Sequence, residues 1–81
     1  MAASKVALNG NDLRFLRKAS NTTLDEASRK ARVDASTLSR WETGQYSPSN
    51  MAIALDLVAY YAERAERGVE RIRKISEELN A

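Results

Sequence analysis

Apolar residues in this chain recur at steps of three and four, and no run alternates apolar with polar over the length of a strand. That periodicity limits the fold more than any other feature. Side chains at i, i+3 and i+4 share one face of a helix, whereas a half-buried strand needs period two. The chain reads as helix after helix, so an all-α protein is expected. At 81 residues it has material for one modest core, since a domain of this size buries about 60% of its unfolded surface. With 43% apolar and 30% charged residues it belongs with folded globular chains rather than disordered ones.

There is no cysteine and no histidine. Disulfides, zinc fingers and any Ser-His or Cys-His nucleophile are excluded, and no cofactor or metal is expected. Carboxylates such as Glu77 and Glu78 sit on a charged face without a companion base, so the chain does not read as an enzyme. No apolar run approaches the roughly 18 residues of a membrane span. The N-terminal MAASKVALNG lacks the apolar stretch of a signal peptide. A cytoplasmic location and no membrane partner are expected. The net charge is only +2, but it is segregated. Leu13 to Arg40 carries seven basic and three acidic residues, while Met51 to Ala81 carries five and six. A basic half beside a neutral half suggests an anionic partner at one end.

Residues 1–9 hold few large apolar side chains and read as a flexible arm. The first helix is expected from about Asn11 to Ser20, capped by Asn11 or Asp12, with Leu13 and Leu16 on its inner face. Asn21 is the natural residue there to take a left-handed conformation. Thr23 and Glu26 have the spacing of a capping box and open a second helix, whose Leu24, Ala27, Ser28 and Ala31 form a face that lets a neighbour approach closely. Arg32 and Val33 connect it to a third helix, from Ala35 to about Thr43, with Asp34 as cap candidate, Leu38 and Trp41 buried, and Gly44 as the stop. Ser49 is expected to cap a fourth helix after Pro48. Apolar residues from Met51 to Tyr61 surround so much of this helix that it needs cover on two faces.

Beyond Tyr61 an apolar seam continues through Ala65, Val69, Ile72, Ile75 and Leu79 at helical spacing. Glu63–Arg67 and Glu70–Lys74 are favourable i,i+4 pairs. Gly68 is able to end one helix and begin another, but no proline or strong cap follows it. One long helix is therefore preferred over two.

The two short helices from Thr23 to Gly44, joined by a tight turn, have the geometry of a helix-turn-helix. Residue order strengthens this. Leu16-Arg17, Thr23, Val33, Leu38-Ser39-Arg40-Trp41-Glu42-Thr43-Gly44 and Pro48-Ser49 fall in an ungapped pattern over about residues 11–60. It resembles the phage repressor and Cro-like, or xenobiotic-response-element-type, helix-turn-helix family. The departures are Asn21 for a glycine, Leu24 for a glutamine that holds a phosphate, Ala27-Ser28 for Leu-Ala, and Arg32 for the turn glycine. Arg32 escapes strain only if its φ is negative or the turn is built differently. The resemblance implies a lambda-repressor-like domain of four to five helices with an extended C-terminal helix. It also implies an ion pair between Arg17 and Glu42.

If the third helix enters a major groove, its small or polar outer residues let the backbone approach and one long donor reads a base edge. Ala35, Ser36, Ser39 and Arg40 have that character. Arg40 suits a bidentate contact to guanine, with a phosphate clamp as its alternative, and Ala35 suits a thymine methyl. Thr23, at a helix N-terminus, is a phosphate candidate. Arg14, Thr43, Gln45 and Tyr46 sit near family phosphate positions. Arg32 adds a basic group at the turn, and Lys5 adds one on the arm. Trp41 reads as core rather than as a stacking platform.

The division expected is an arm over 1–9, a DNA-binding domain over 10–60 and an amphipathic dimerisation helix over 61–81. Tyr60, Tyr61, Ala65, Val69, Ile72, Ile75 and Leu79 are the interface candidates, since a second copy is the simplest cover for them. The alternative is a tail folded back on its own helices. The expected function is a homodimeric transcriptional regulator, a repressor or autoregulator, on an inverted-repeat operator in double-stranded DNA. The competing function is an antitoxin-like or adaptor chain whose tail binds a partner protein.

Overall fold

A computed structural model describes residues 9–80, and their regular structure is helical throughout. The helices are α1 (Gly10–Ala19), α2 (Leu24–Ala31), α3 (Ala35–Glu42) and α4 (Met51–Leu79). Lys5 and the rest of the expected arm lie outside the described residues, except for Asn9.

Asn9 caps α1, not Asn11 or Asp12. Its side-chain oxygen accepts from the Asp12 amide at 2.9 Å. The helix starts early because Gly10 tucks its backbone against the end of α3. A Cβ on Gly10 would fall on the Trp41 carbonyl oxygen and lie 2.7 Å from that of Glu42. This close approach sets the positive end of the α1 dipole beside the carbonyl end of α3, a favourable arrangement. At the other end Asn21 takes φ +55°. The Thr22 amide donates to the Arg17 carbonyl at 3.0 Å, and the buried hydroxyls of Ser20 and Thr22 meet at 2.8 Å.

The capping box of α2 is complete. Thr23 Oγ1 accepts from the Glu26 amide at 3.0 Å, and Glu26 Oε1 accepts from the Thr23 amide at 2.9 Å. Ala27, Ser28 and Ala31 are buried, so the small-residue face does admit its neighbours. At the turn Arg32 adopts φ +59°, and the Val33 amide donates to the Ser28 carbonyl at 3.1 Å. A side chain in this left-handed region costs roughly 1–2 kcal/mol. The chain accepts that strain because the hydrogen bonds and the burial of Val33 against the core depend on the turn.

Asp34 precedes α3 through its backbone alone, and its side chain makes no capping hydrogen bond. Leu38, Trp41 and Glu42 are buried. Gly44, at φ +83°, reverses the chain so that the Gln45 amide donates back to the Arg40 carbonyl at 2.9 Å. Asn50 rather than Ser49 caps α4, its Oδ1 accepting from the Ala52 amide at 3.0 Å. α4 then runs 29 residues, unbroken through Gly68 and across the boundary expected at residue 60.

α1 packs on α3 and α4, and α2 packs on the same two. Leu13, Ala27, Leu38, Trp41, Leu57 and Tyr61 meet at the centre. Ala54, Leu57 and Tyr61 are the fully buried residues of α4. Residues 66–79 of the helix are exposed, so the tail does not fold back on the first helices. Of the tail pairs, Arg67–Glu63 forms at 3.4 Å, while Glu70 takes Arg73, one turn on, rather than Lys74.

Candidate nucleic-acid interface

α2, the turn at residues 32–34 and α3 form two short helices at a corner. On α3 the inner positions are Leu38, Trp41 and Glu42, and the opposite side presents Ser36 and Arg40 to solvent. Ala35 and Ser39 lie half-buried beside them. A helix with small side chains outward and its large ones behind has the profile that a major groove admits. The Arg40 guanidinium lies 5.8 Å from the centre of the Tyr46 ring. This cation–π contact, worth about 0.5–1 kcal/mol at an exposed site, limits the orientations of Arg40 before anything binds. The sequence does not reveal it, because the contact needs the reversal at Gly44.

Around α3, Arg14, Arg32, Thr43, Gln45 and Tyr46 are all exposed. The Thr43 hydroxyl donates to the Arg40 carbonyl at 3.3 Å. A shallow groove between α2 and α3 is lined by Ser28, Arg29, Arg32, Val33, Asp34 and Thr37. Thr23, expected as a phosphate contact, is the cap of α2. Its amide and its hydroxyl are both engaged by the Glu26 carboxylate, at 2.9 and 3.2 Å, so that helix N-terminus already holds an anion. The Thr23 amide holds the Glu26 carboxyl below its ordinary range, with smaller help from Arg64 and Arg29. The Asp34 side chain is exposed at the start of α3 and makes no capping hydrogen bond; a carboxylate in such a position can accept from a cytosine amino group.

Behind the surface, Arg17 Nε donates to Glu42 Oε2 at 2.7 Å and Nη2 to Oε1 at 3.0 Å. Nη1 donates to the Thr22 carbonyl at 3.1 Å. One guanidinium thus ties α1, the α1–α2 turn and the end of α3 together. The hydrogen bonds that Arg17 donates to the Glu42 carboxylate raise the Arg17 pKa further, against its partial burial. The Tyr61 hydroxyl is buried and makes no hydrogen bond. Burial, and then the Glu42 charge, push its pKa up to about 12.

A family model described as a helix-turn-helix domain matches residues 10–69. The chain belongs to the helix-turn-helix family. No curated protein and no solved structure matched it. In this helix-turn-helix domain α2 and α3 are the paired helices, and the match covers α1 through α3 and α4 as far as Val69. Such a domain implies DNA as the partner and is typically not enzymatic. No helix among the described residues is long and apolar enough to cross a membrane.

The interface candidates on α4 divide. Tyr61 is only 1% exposed, within its own core, and has no surface to offer a partner. Tyr60 is half-buried and committed to its own chain, with Lys30 at 5.5 Å and Arg64 at 5.6 Å from its ring centre. Ala65 is half-buried. Val69, Ile72, Ile75 and Leu79 are bare, at 45–80% exposure.

Proposed function

We propose that this helix-turn-helix protein is a sequence-specific transcriptional regulator of the phage repressor or Cro-like type. It occupies an inverted-repeat operator as a homodimer and represses from there. The observation that carries this is α3 itself, which holds Ser36 and Arg40 outward while Leu38, Trp41 and the Arg17–Glu42 pair fix it from behind.

In this reading α3 lies in the major groove. Arg40 is bidentate to a guanine edge, Ser36 and Ser39 adapt to neighbouring bases, and Ala35 meets a thymine methyl. Arg14, Arg32, Thr43, Gln45 and Tyr46 hold the flanking phosphates and set the register. Residues 10–60 do the reading and residues 61–81 the assembly. Selection of bound duplexes from a random pool should return one inverted repeat. Affinity for it should fall steeply with salt, because each phosphate contact releases counterions. A pool that returns no common sequence, or a flat salt response, would refute the proposal.

The bare tail favours a second reading, in which Val69, Ile72, Ile75 and Leu79 dock on an unrelated protein. Stoichiometric co-purification of one other chain, together with no operator preference in the purified protein, would select that reading instead.

A further inference from the structure

Ala54, Leu57 and Tyr61 of α4 are covered by α1–α3. The same helical stripe, continued in steps of four, three, four, three and four, passes through Ala65, Gly68, Ile72, Ile75 and Leu79. One stripe is therefore core for its first half and bare for its second. Gly68 stands at the middle of it. A Cβ there would meet nothing within 4 Å in its own chain, so no internal packing calls for a glycine at a helix interior, where glycine is disfavoured.

We propose that the bare half pairs with the same segment of a second copy in antiparallel orientation, with Leu79 of each protomer seated over Gly68 of the other. The proposal rests on the homodimer reading above and specifies how the two chains meet. Orientation follows from the continuity of the stripe. In a parallel pair, the α1–α3 layers would both occupy the face where the helices must touch. An antiparallel pair sends the two layers to opposite ends. Register follows from shape. With Ile72 against the partner's Ile75, Leu79 falls opposite Gly68, and the most exposed side chain of the stripe meets the one position without a side chain. Charge agrees. Arg71 and Glu78 flank the stripe on one side, and this register brings each Arg71 beside the partner's Glu78. A parallel pair would set the flanking Arg71 against Ser76 and leave a glycine against a glycine.

The absence of cysteine makes the arrangement testable by single thiols in the full chain. Arg71→Cys mixed with Glu78→Cys should give a disulfide-linked pair in high yield. Leu79→Cys alone should cross-link poorly, because its two copies lie about 16 Å apart along the pair at 1.5 Å per residue. By sedimentation, Gly68→Leu should weaken dimerisation at least tenfold without lowering the melting temperature of the monomer. Charge reversal at Arg71 or Glu78 alone should weaken it, and the double exchange, R71E with E78R, should restore it. Efficient self-linking of Leu79→Cys, or an unaltered dimer in Gly68→Leu, would overturn the antiparallel pairing and leave the homodimer standing. A monomer at tens of micromolar would overturn both while leaving DNA binding by the single domain to be judged by duplex selection.

Discussion

Truncating Arg17 should be the most damaging single change on the polar side of this protein. The guanidinium and the Glu42 carboxylate share two hydrogen bonds of 2.7 and 3.0 Å, and their side chains are 14% and 5% exposed. An exposed pair of this kind contributes about 0–1 kcal/mol. Here Arg17→Ala would leave Glu42 nearly buried without its partner and the Thr22 carbonyl without its donor. Breaking a buried pair from one side costs about 3–5 kcal/mol. The remaining exposure of Arg17 lets some water in, so the lower end, about 3 kcal/mol, is expected. A chain of 81 residues has roughly 4–12 kcal/mol of total stability, and the melting temperature should fall by roughly 12–24 °C. Urea denaturation followed by helical circular dichroism measures this directly. The double variant Arg17→Met with Glu42→Leu removes both charges and should recover to within about 1 kcal/mol of the parent. A loss under about 0.5 kcal/mol in Arg17→Ala, or a double variant as unstable as the single one, would refute the buried-pair reasoning.

Gly10→Ala should destabilise by about 1–3 kcal/mol, despite alanine's better helix propensity, because the added methyl meets backbone oxygens of Trp41 and Glu42; a more stable variant would count against that contact. Tyr61 has its pKa pushed up to about 12 against roughly 10 in the unfolded chain, so the unfolded state loses its proton first as pH rises. Stability should be intact below pH 10 and decline between 10 and 12, by on the order of 2–3 kcal/mol in all. Tyr61→Phe should flatten that decline in denaturation series across this range and, by removing an unbonded buried hydroxyl, should be neutral or stabilising by up to about 1 kcal/mol at pH 7. Arg40→Ala should weaken operator binding by about 1–3 kcal/mol and relax preference at one base pair; a uniform loss over all sequences would reassign Arg40 to a phosphate. Arg32→Gly should relieve the left-handed strain and stabilise by up to about 1 kcal/mol, while the salt dependence of DNA binding becomes shallower by about one ion; an unchanged salt slope would remove Arg32 from the phosphate contacts.

The helices themselves were legible because their signals are local. The capping box at Thr23 and Glu26, the left-handed Asn21, the stop at Gly44 and the paired Leu38 and Trp41 each depend on residues within one turn of one another, and each stands in the structure as the residue pattern implies. The caps at Asn9 and Asn50 lie one to three residues from the expected ones, because several short polar side chains close together offer the same local chemistry. Which of them is used depends on where the helix meets its neighbours.

Long-range matters were decided by packing. Nothing near Gly10 in the chain announces that it lies against α3, and nothing in the seam beyond Ser49 distinguishes Tyr61, which is core, from Ile72, which is bare. Both tyrosine and isoleucine sit on one continuous stripe, and only the finite length of α1 and α2 determines where cover ends. Only the folded chain shows that the Glu26 carboxylate engages both the amide and the hydroxyl of Thr23. Sequence periodicity and capping chemistry determine helices and their apolar faces because those are properties of neighbouring residues. Which part of a face is buried, and which charge is already satisfied, became definite only when residues distant in the chain met in space.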